Sequence, residues 1–297
     1  MTADDDAAVF EEVRPTLMGV AYRVLGSTAD AADAVQDTYL AWQRTDKTDV
    51  RSARAWLITV CTRRAIDLAT AASRTRVTYV GTWLPEFVHT SIADDPGEQA
   101  ALASSVTTAF LLLLERLTPK ERAAYVLHEV FDCDYADVAA TLEMEEPACR
   151  QLVTRARRNI GQSEVRHRTP PARQQELVDA FRAAVADNST DALATLLAED
   201  VRLSADSGGK VPTIRETLHG RDEVLGFLRS TIGPYWRQFM LLDTEINAGR
   251  GLELVEGDRI TAAVSFEYDD RGRVTSIFIM RNPDKLDRLH RAPDFLS

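Results

Sequence analysis

The sequence predicts a multidomain chain: two all-α domains, then an α+β domain built on a curved, mostly antiparallel sheet. Two observations carry this. Up to about Gly161 apolar residues recur at helical spacing, whereas beyond Pro170 and Pro171 short helices give way to extended segments separated by turns. Strands that follow helices as a group, instead of alternating with them, indicate α+β. The expected domains are 1–78, 105–163 and 173–297, with linkers at 79–104 and 164–172.

Phe10, Val13, Leu17, Val20, Ala21 and Val24 form the first apolar stripe. Gly26 and Ser27 break it. Ala31, Ala34, Val35, Thr38, Tyr39 and Trp42 form the second, with Asp30, Asp33 and Asp37 left to solvent. A third helix runs from about Ser52 through Ala55, Trp56, Ile58, Thr59, Thr62, Arg63 and Ile66. Residues 77–99, with WLPE at 83–86 and DDPG at 94–97, lack periodicity and read as a linker. Helix resumes near Gln99. Thr118 caps a helix, with Pro119 first and Glu121 three residues on, and Asp134 caps a second short helix facing inward through Val138, Ala139 and Leu142. After the turn LEMEE, Pro147 opens a helix that buries Cys149, Leu152, Val153, Ala156 and Ile160. Arg150, Gln151, Thr154, Arg155 and Arg158 therefore share its outer face. Two helices, a tight turn and an outer face of hydrogen-bond donors suit a helix-turn-helix in a major groove. A solvated basic helix is the duller alternative.

The last domain reads as helices at 173–187 and 190–198, an extended segment at 200–205, a loop DSGGK at 206–210 and a helix at 221–232. Strands follow near 236–246, 250–256, 259–268 and 272–281, the last two joined by the turn Asp269-Asp270-Arg271-Gly272.

Composition is that of a folded, soluble chain, 45% hydrophobic and 27% charged. Cys61, Cys133 and Cys149 have no CxxC spacing, so neither a disulfide framework nor a zinc site is expected, and no metal or cofactor. The acidic start, MTADDDAAVF, is unlike a signal peptide, and Ala109 to Leu114 is too short an apolar run to span a bilayer, so a cytoplasmic location is expected. Charge is more informative. The net charge is −11, yet residues 51–76 hold six Arg against one Asp and residues 147–173 seven Arg against one Glu. Two basic islands in an acidic body imply two separate contacts with one polyanion, and weak binding to it without a partner.

The segments AYRVLGSTADAADAVQDTYLAW (21–42), RAWLITVCTRRAID (54–67) and Leu117 to Ile160 resemble bacterial sigma factors of the extracytoplasmic-function type. The resemblance implies that the first is part of region two, docking on core RNA polymerase through Asp30, Asp33, Asp37, Tyr39 and Trp42. It implies that the second recognises and opens the minus-ten element of promoter DNA, with Arg51, Arg54, Trp56, Thr62, Arg63 and Arg64 as candidates, since strand opening needs a basic surface and side chains beside an unstacked base. The third is then region four, reading the minus-thirty-five element through Arg150, Gln151, Thr154, Arg155 and Arg158. WLPE, the DxGGK loop and NPDKL at 282–286 resemble the sigma factors that carry a fused C-terminal SnoaL-like domain. In that group the extra domain is thought to replace a separate anti-sigma factor. This implies contacts among Trp83, Leu84, Pro85, Glu86, Asp206, Gly208, Gly209, Lys210, Asn282, Pro283, Asp284, Lys285 and Leu286. Ser207 stands where the group usually has Gly, and Glu143 fills a turn position where Gly is usual.

Two other functions fit parts of the chain. SnoaL-like folds include isomerases and cyclases, and Asp206 with Lys210, or His219, are the candidates for such chemistry. A ligand-sensing helix-turn-helix regulator would explain the last two domains but neither the acidic helix nor the first Arg island. A small ligand in the C-terminal cavity is compatible with the sigma-factor reading as well.

Overall fold

A computed structural model of the chain describes residues 3–76, 78–90, 106–161 and 169–289. They form two compact units: Met1–Val77 with Leu111–Ser163, and Thr78–Phe110 with Glu164–Ser297. The described part of the linker thus groups with the C-terminal domain.

The first unit is helical. Helices α1 (Ala3–Leu25), α2 (Thr28–Arg44) and α3 (Ala53–Arg76) pack together. Gly26 turns between α1 and α2 at φ +67°, and Ser27 Oγ caps α2 by accepting from the Asp30 amide at 3.2 Å. The stripes expected on α1 and α2 are buried, Tyr39 only partly. The phase of α3 differs from expectation. Among its described side chains Leu57, Cys61, Thr62 and Ala65 are fully buried, while Ala55 is exposed and Trp56 half-buried. The run WLITV is apolar on every side, so its sequence cannot choose a face.

Helix α4 (Thr108–Leu114) precedes the helix-turn-helix region, which comprises α5 (Pro119–Tyr125), a π-helical turn at Val126–Val130, α6 (Tyr135–Thr141) and α7 (Glu146–Ile160). Thr118 and Glu121 form the expected capping box. Asp134 holds the cap position of α6, but its side chain makes no capping bond. Glu143 takes φ +54°, the left-handed turn that favours glycine. Helices α1 and α3 pack on α5, and α3 on α6, so the three-helix domain and the helix-turn-helix share one body.

The second unit begins its C-terminal part with α8 (Pro171–Ala186) and α9 (Asp191–Leu196). A six-stranded open sheet follows in the order β2-β1-β6-β5-β4-β3: β1 (Leu197–Asp206), β2 (Leu218–His219), β3 (Met240–Ile246), β4 (Gly249–Glu256), β5 (Arg259–Tyr268) and β6 (Val274–Met280). Only β1 and β6 run parallel. Between β2 and β3 lie α10 (Arg221–Phe227), a π-helical turn at Leu228–Ile232 and α11 (Gly233–Trp236); α12 (Pro283–Leu289) ends the described chain. Strand β1 begins earlier than expected, taking the end of the second helix, and β3 later, because residues 233–236 are helical. Phe181 of α8 packs edge-on against Phe266 of β5 at 5.5 Å and lies 6.4 Å from Trp236, at the centre of a continuous apolar core.

Candidate functional site

Helix α7 buries the five residues its periodicity marks, leaving Arg150, Gln151, Thr154, Arg155 and Arg158 exposed on one face. Their states differ. Arg150 is held by Glu146, with Nε donating to Oε1 at 3.0 Å, and stacks its guanidinium 4.3 Å from the Tyr135 ring centroid. Thr154 donates back to the Arg150 carbonyl at 2.8 Å. Arg155 makes only a loose 3.7 Å ion pair with Glu121, and Gln151 and Arg158 have no side-chain partner among the described residues. The least engaged donors on this face are therefore Gln151, Arg155 and Arg158. Arg157, which spacing left out, is also exposed; Glu129 accepts from its Nε at 3.0 Å and raises its pKa.

The first Arg island is partly engaged within its own unit. Arg63 donates from Nε to the Thr141 carbonyl (2.8 Å) and from Nη2 to the Ala140 carbonyl (3.0 Å), and pairs through Nη1 with Glu143 (2.8 Å). These carbonyls lie at the C-terminal end of α6, where a cation is favoured. Thr59 and Thr141 hydroxyls share a bond beside it at 3.1 Å. Arg64 pairs with Asp37 at 2.7 Å, while Arg51 and Arg54 stand exposed. Asp33 is exposed and Asp30 half-buried. Four expected contact residues are wholly or partly buried. Thr62 is fully buried in α3 and cannot meet a base. Trp42 is fully buried too, donating from Nε1 to the Asp6 carbonyl at 3.2 Å, so it supports the acidic helix and does not face a partner. Trp56 lies half-buried with its ring 5.3 Å from that of Trp42, and Tyr39 packs 4.7 Å from Phe10.

The second unit gathers the three short motifs around one carboxylate. Asp206, fully buried at the end of β1, accepts from four donors: Tyr79 Oη at 2.6 Å, the Leu84 amide at 2.9 Å, the Gly208 amide at 3.0 Å and Lys285 Nζ at 2.7 Å. Lys285 also donates to the Leu84 carbonyl at 2.5 Å and lies 4.6 Å from the centroid of the half-buried Trp83 ring. Asn282 donates to Tyr79 Oη at 2.9 Å and caps α12 by accepting from the Asp284 amide at 3.1 Å, with Pro283 as first helical residue. Gly208 takes φ +58°, and a Cβ there would lie 2.6 Å from Asn282 Nδ2; Gly209 takes φ +73° beneath Val80. Ser207 has no such requirement, which explains why it replaces a glycine without strain. Leu84 and Pro85 are buried, Glu86 is buried against Arg288, and Leu286 is buried in α12. The candidate catalytic residues Asp206 and Lys210 do not pair with each other: Lys210 pairs with Asp284. A carboxylate so fully occupied is also no free general base, and His219, exposed on β2, has no carboxylate on its ring among the described residues.

Beyond the clamp, residues 87–90 follow the β3–β4 turn. Val88 donates to Asn247 Oδ1 at 2.8 Å, Asn247 N donates to the Val88 carbonyl at 3.0 Å, and His89 meets Glu253 at 2.7 Å. Tyr79, Tyr135 and Asn247 carried no signal in the sequence. The Asn282-Pro283 helix start did carry one, because Asn at a cap followed by Pro is a recognisable signature.

Family models for sigma-70 region 2 and sigma-70 region 4 match residues 9–75 and 107–160. The ECF RNA polymerase sigma factor SigJ of Mycobacterium tuberculosis (strain ATCC 25618 / H37Rv) is 37% identical over 290 residues, 94% of this chain and 93% of the relative. This chain is an ECF RNA polymerase sigma factor. The probable sigma factor SigI of M. tuberculosis (strain CDC 1551 / Oshkosh) is 30% identical to it, with 96% of each chain covered. The crystal structure of M. tuberculosis SigJ superposes with a TM-score of 0.74 at 35% identity, covering 95% of this chain and 98% of that one, which includes the SnoaL-like C-terminal domain. As a member of this family the sigma factor binds core RNA polymerase and promoter DNA, and starts transcription without chemistry of its own. No helix among its described residues is long and apolar enough to cross a membrane.

Proposed function

We propose that this sigma factor is regulated in cis by its C-terminal domain, which grips the segment joining region two to region four. The observation that carries this is the buried Asp206 carboxylate, which takes donors from linker residues Tyr79 and Leu84 and from its own domain's Gly208 and Lys285. A buried charge so satisfied is costly to disrupt, so the linker's path is fixed while the clamp is closed. Arg155, Arg158 and Gln151 read the minus-thirty-five element, joined by Arg150 and Thr154. Arg51, Arg54 and Arg64 hold the minus-ten region, and Arg63 joins them on leaving α6. Asp30, Asp33 and Asp37 present an acidic face to the polymerase, backed by Tyr39. The factor works in the cytoplasm with no separate anti-sigma factor. The test is run-off transcription with core polymerase, comparing the full chain with Asp206→Asn. A promoter output changed several-fold at equal polymerase occupancy is expected; equal output would overturn the cis reading while leaving the family assignment intact.

A further inference from the structure

A cavity of about 400 Å³ opens in the C-terminal domain, lined by Ala205, Ile214, Phe227, Tyr235, Trp236 and Arg281, among others. Its walls are aliphatic and aromatic, with two threonine hydroxyls and a single charged side chain, Arg281. That side chain is incompletely used. Nη1 donates to the Pro212 carbonyl at 2.8 Å and the guanidinium sits 5.5 Å from the Tyr235 ring centroid, yet Nε is buried with no acceptor. A buried guanidinium donor without an acceptor is costly, and a carboxylate is the group whose two oxygens match adjacent guanidinium N–H groups. The volume admits about a dozen non-hydrogen atoms at roughly the 30 Å³ a water occupies in the liquid.

The cavity also adjoins the clamp. Ala205 lines it while its neighbour on β1, Asp206, turns to the opposite face and holds the linker. The Arg281 amide donates to the Asp206 carbonyl at 2.6 Å, and Asn282, next in sequence, donates to Tyr79. The loop from Ser207 to Thr213 has Gly209 beneath Val80 at one end and Pro212 and Thr213 in the cavity wall at the other.

We propose that this cavity binds a small amphipathic carboxylate, its apolar body among Phe227, Tyr235 and Trp236 and its head group on Arg281, and that occupancy tightens the Asp206 clamp on the linker. The second half rests on the cis-regulatory reading above. A carboxylate on the guanidinium edge that lines the cavity fixes Arg281, and so stiffens the Arg281–Asp206 backbone contact.

The test uses the full chain with decanoate as probe, decanol as the same body without charge, and acetate as the charge without a body. Calorimetry should give one decanoate per chain, bound at least about tenfold more tightly than decanol, with no acetate binding. Arg281→Met should bring decanoate down to the decanol level. Hydrogen exchange across residues 78–90 should slow with decanoate, at the Leu84 amide above all. Equal affinity for decanoate and decanol, several molecules per chain, or no saturable binding would overturn the proposal without any appeal to the variant. So would saturable binding that leaves exchange at Leu84 unchanged. Slowed exchange combined with unaltered transcription by Asp206→Asn would instead count against the cis-regulatory reading alone.

Discussion

Lys285 shows how much a single ammonium can hold. It is buried, and it satisfies both a buried carboxylate and the Leu84 carbonyl, so its loss leaves Asp206 charged with one cation fewer and a backbone acceptor open. Lys285→Met is expected to lower unfolding stability of the second unit by about 3–5 kcal/mol, the cost of leaving a buried charge uncompensated. Asp206→Asn with Lys285→Met should recover part of that loss, and denaturant titration of the two single variants and the double variant measures the difference. A second residue carries the pH dependence. Burial lifts the Glu267 carboxyl from an ordinary 4.5 to about 7, opposed by a bond from Thr107. The folded chain therefore holds this proton more tightly than the unfolded chain, so its stabilising contribution is complete below about 4.5 and disappears as pH rises through 7. Thermal unfolding between pH 5 and 8 should show the decline, and Glu267→Gln should flatten it. An unchanged profile in that variant would mean another group titrates. Asp206 and Lys285 were both visible in the sequence through their motifs, but their ion pair was not. Proximity along the chain suggested Lys210, whereas the fold brings Lys285 from 79 residues away.

Elements were legible where one face alone was apolar. Helices α1, α2 and α7 expose polar residues opposite their stripes, and their buried sets match the spacing. Helix α3 does not, and its phase came from packing against α1 and α2. Strands β4 and β5 fall within a residue of expectation because a turn bounds each end. The two-residue strand β2 has too little sequence to show itself. The β3–β4 hairpin offers a clean test of local strain. Its loop residues Asn247 and Ala248 take φ +50° and +61°, as a type I′ turn demands, yet alanine is poorly suited to that region. Thr90 Oγ1 accepts from the Ala248 amide at 2.6 Å, and a backbone donor survives any substitution that keeps an N–H. Ala248→Gly is therefore expected to stabilise the chain by about 0.5–1 kcal/mol, seen as a higher denaturation midpoint with an unchanged slope.

At the scale of the whole molecule, the promoter sets a distance the described chain does not span. The minus-ten and minus-thirty-five elements lie about 25 base pairs apart by their names, or roughly 85 Å at 3.4 Å per base pair. Region two and region four touch in this structure, through Arg63 on Thr141 and Ala140, so reading both elements at once requires them to part. Fully extended, the residues between α3 and α4 reach about 100 Å at roughly 3.3 Å each, enough only if most of them are free. Tyr79, Leu84, Val88 and Thr90 are bonded to the C-terminal domain, and Thr108 meets Ser265 at 3.1 Å, so a closed clamp shortens that tether. On the cis-regulatory reading, separation and clamp release are therefore expected to be coupled. Spin labels on cysteines introduced at exposed Gln43 and Asn159 report on it, in a Cys133→Ser background. Burial raises the thiols of Cys61, to about 12, and Cys149, which keeps them unreactive to the label. The free chain should give one short distance, core polymerase with promoter DNA should lengthen it by several tens of ångströms, and Lys285→Met should populate the long distances without DNA. A clamp variant whose distance distribution equals that of the parent chain would locate the restraint in the Arg63 contact instead, and Arg63→Ala would then be the variant that opens the pair.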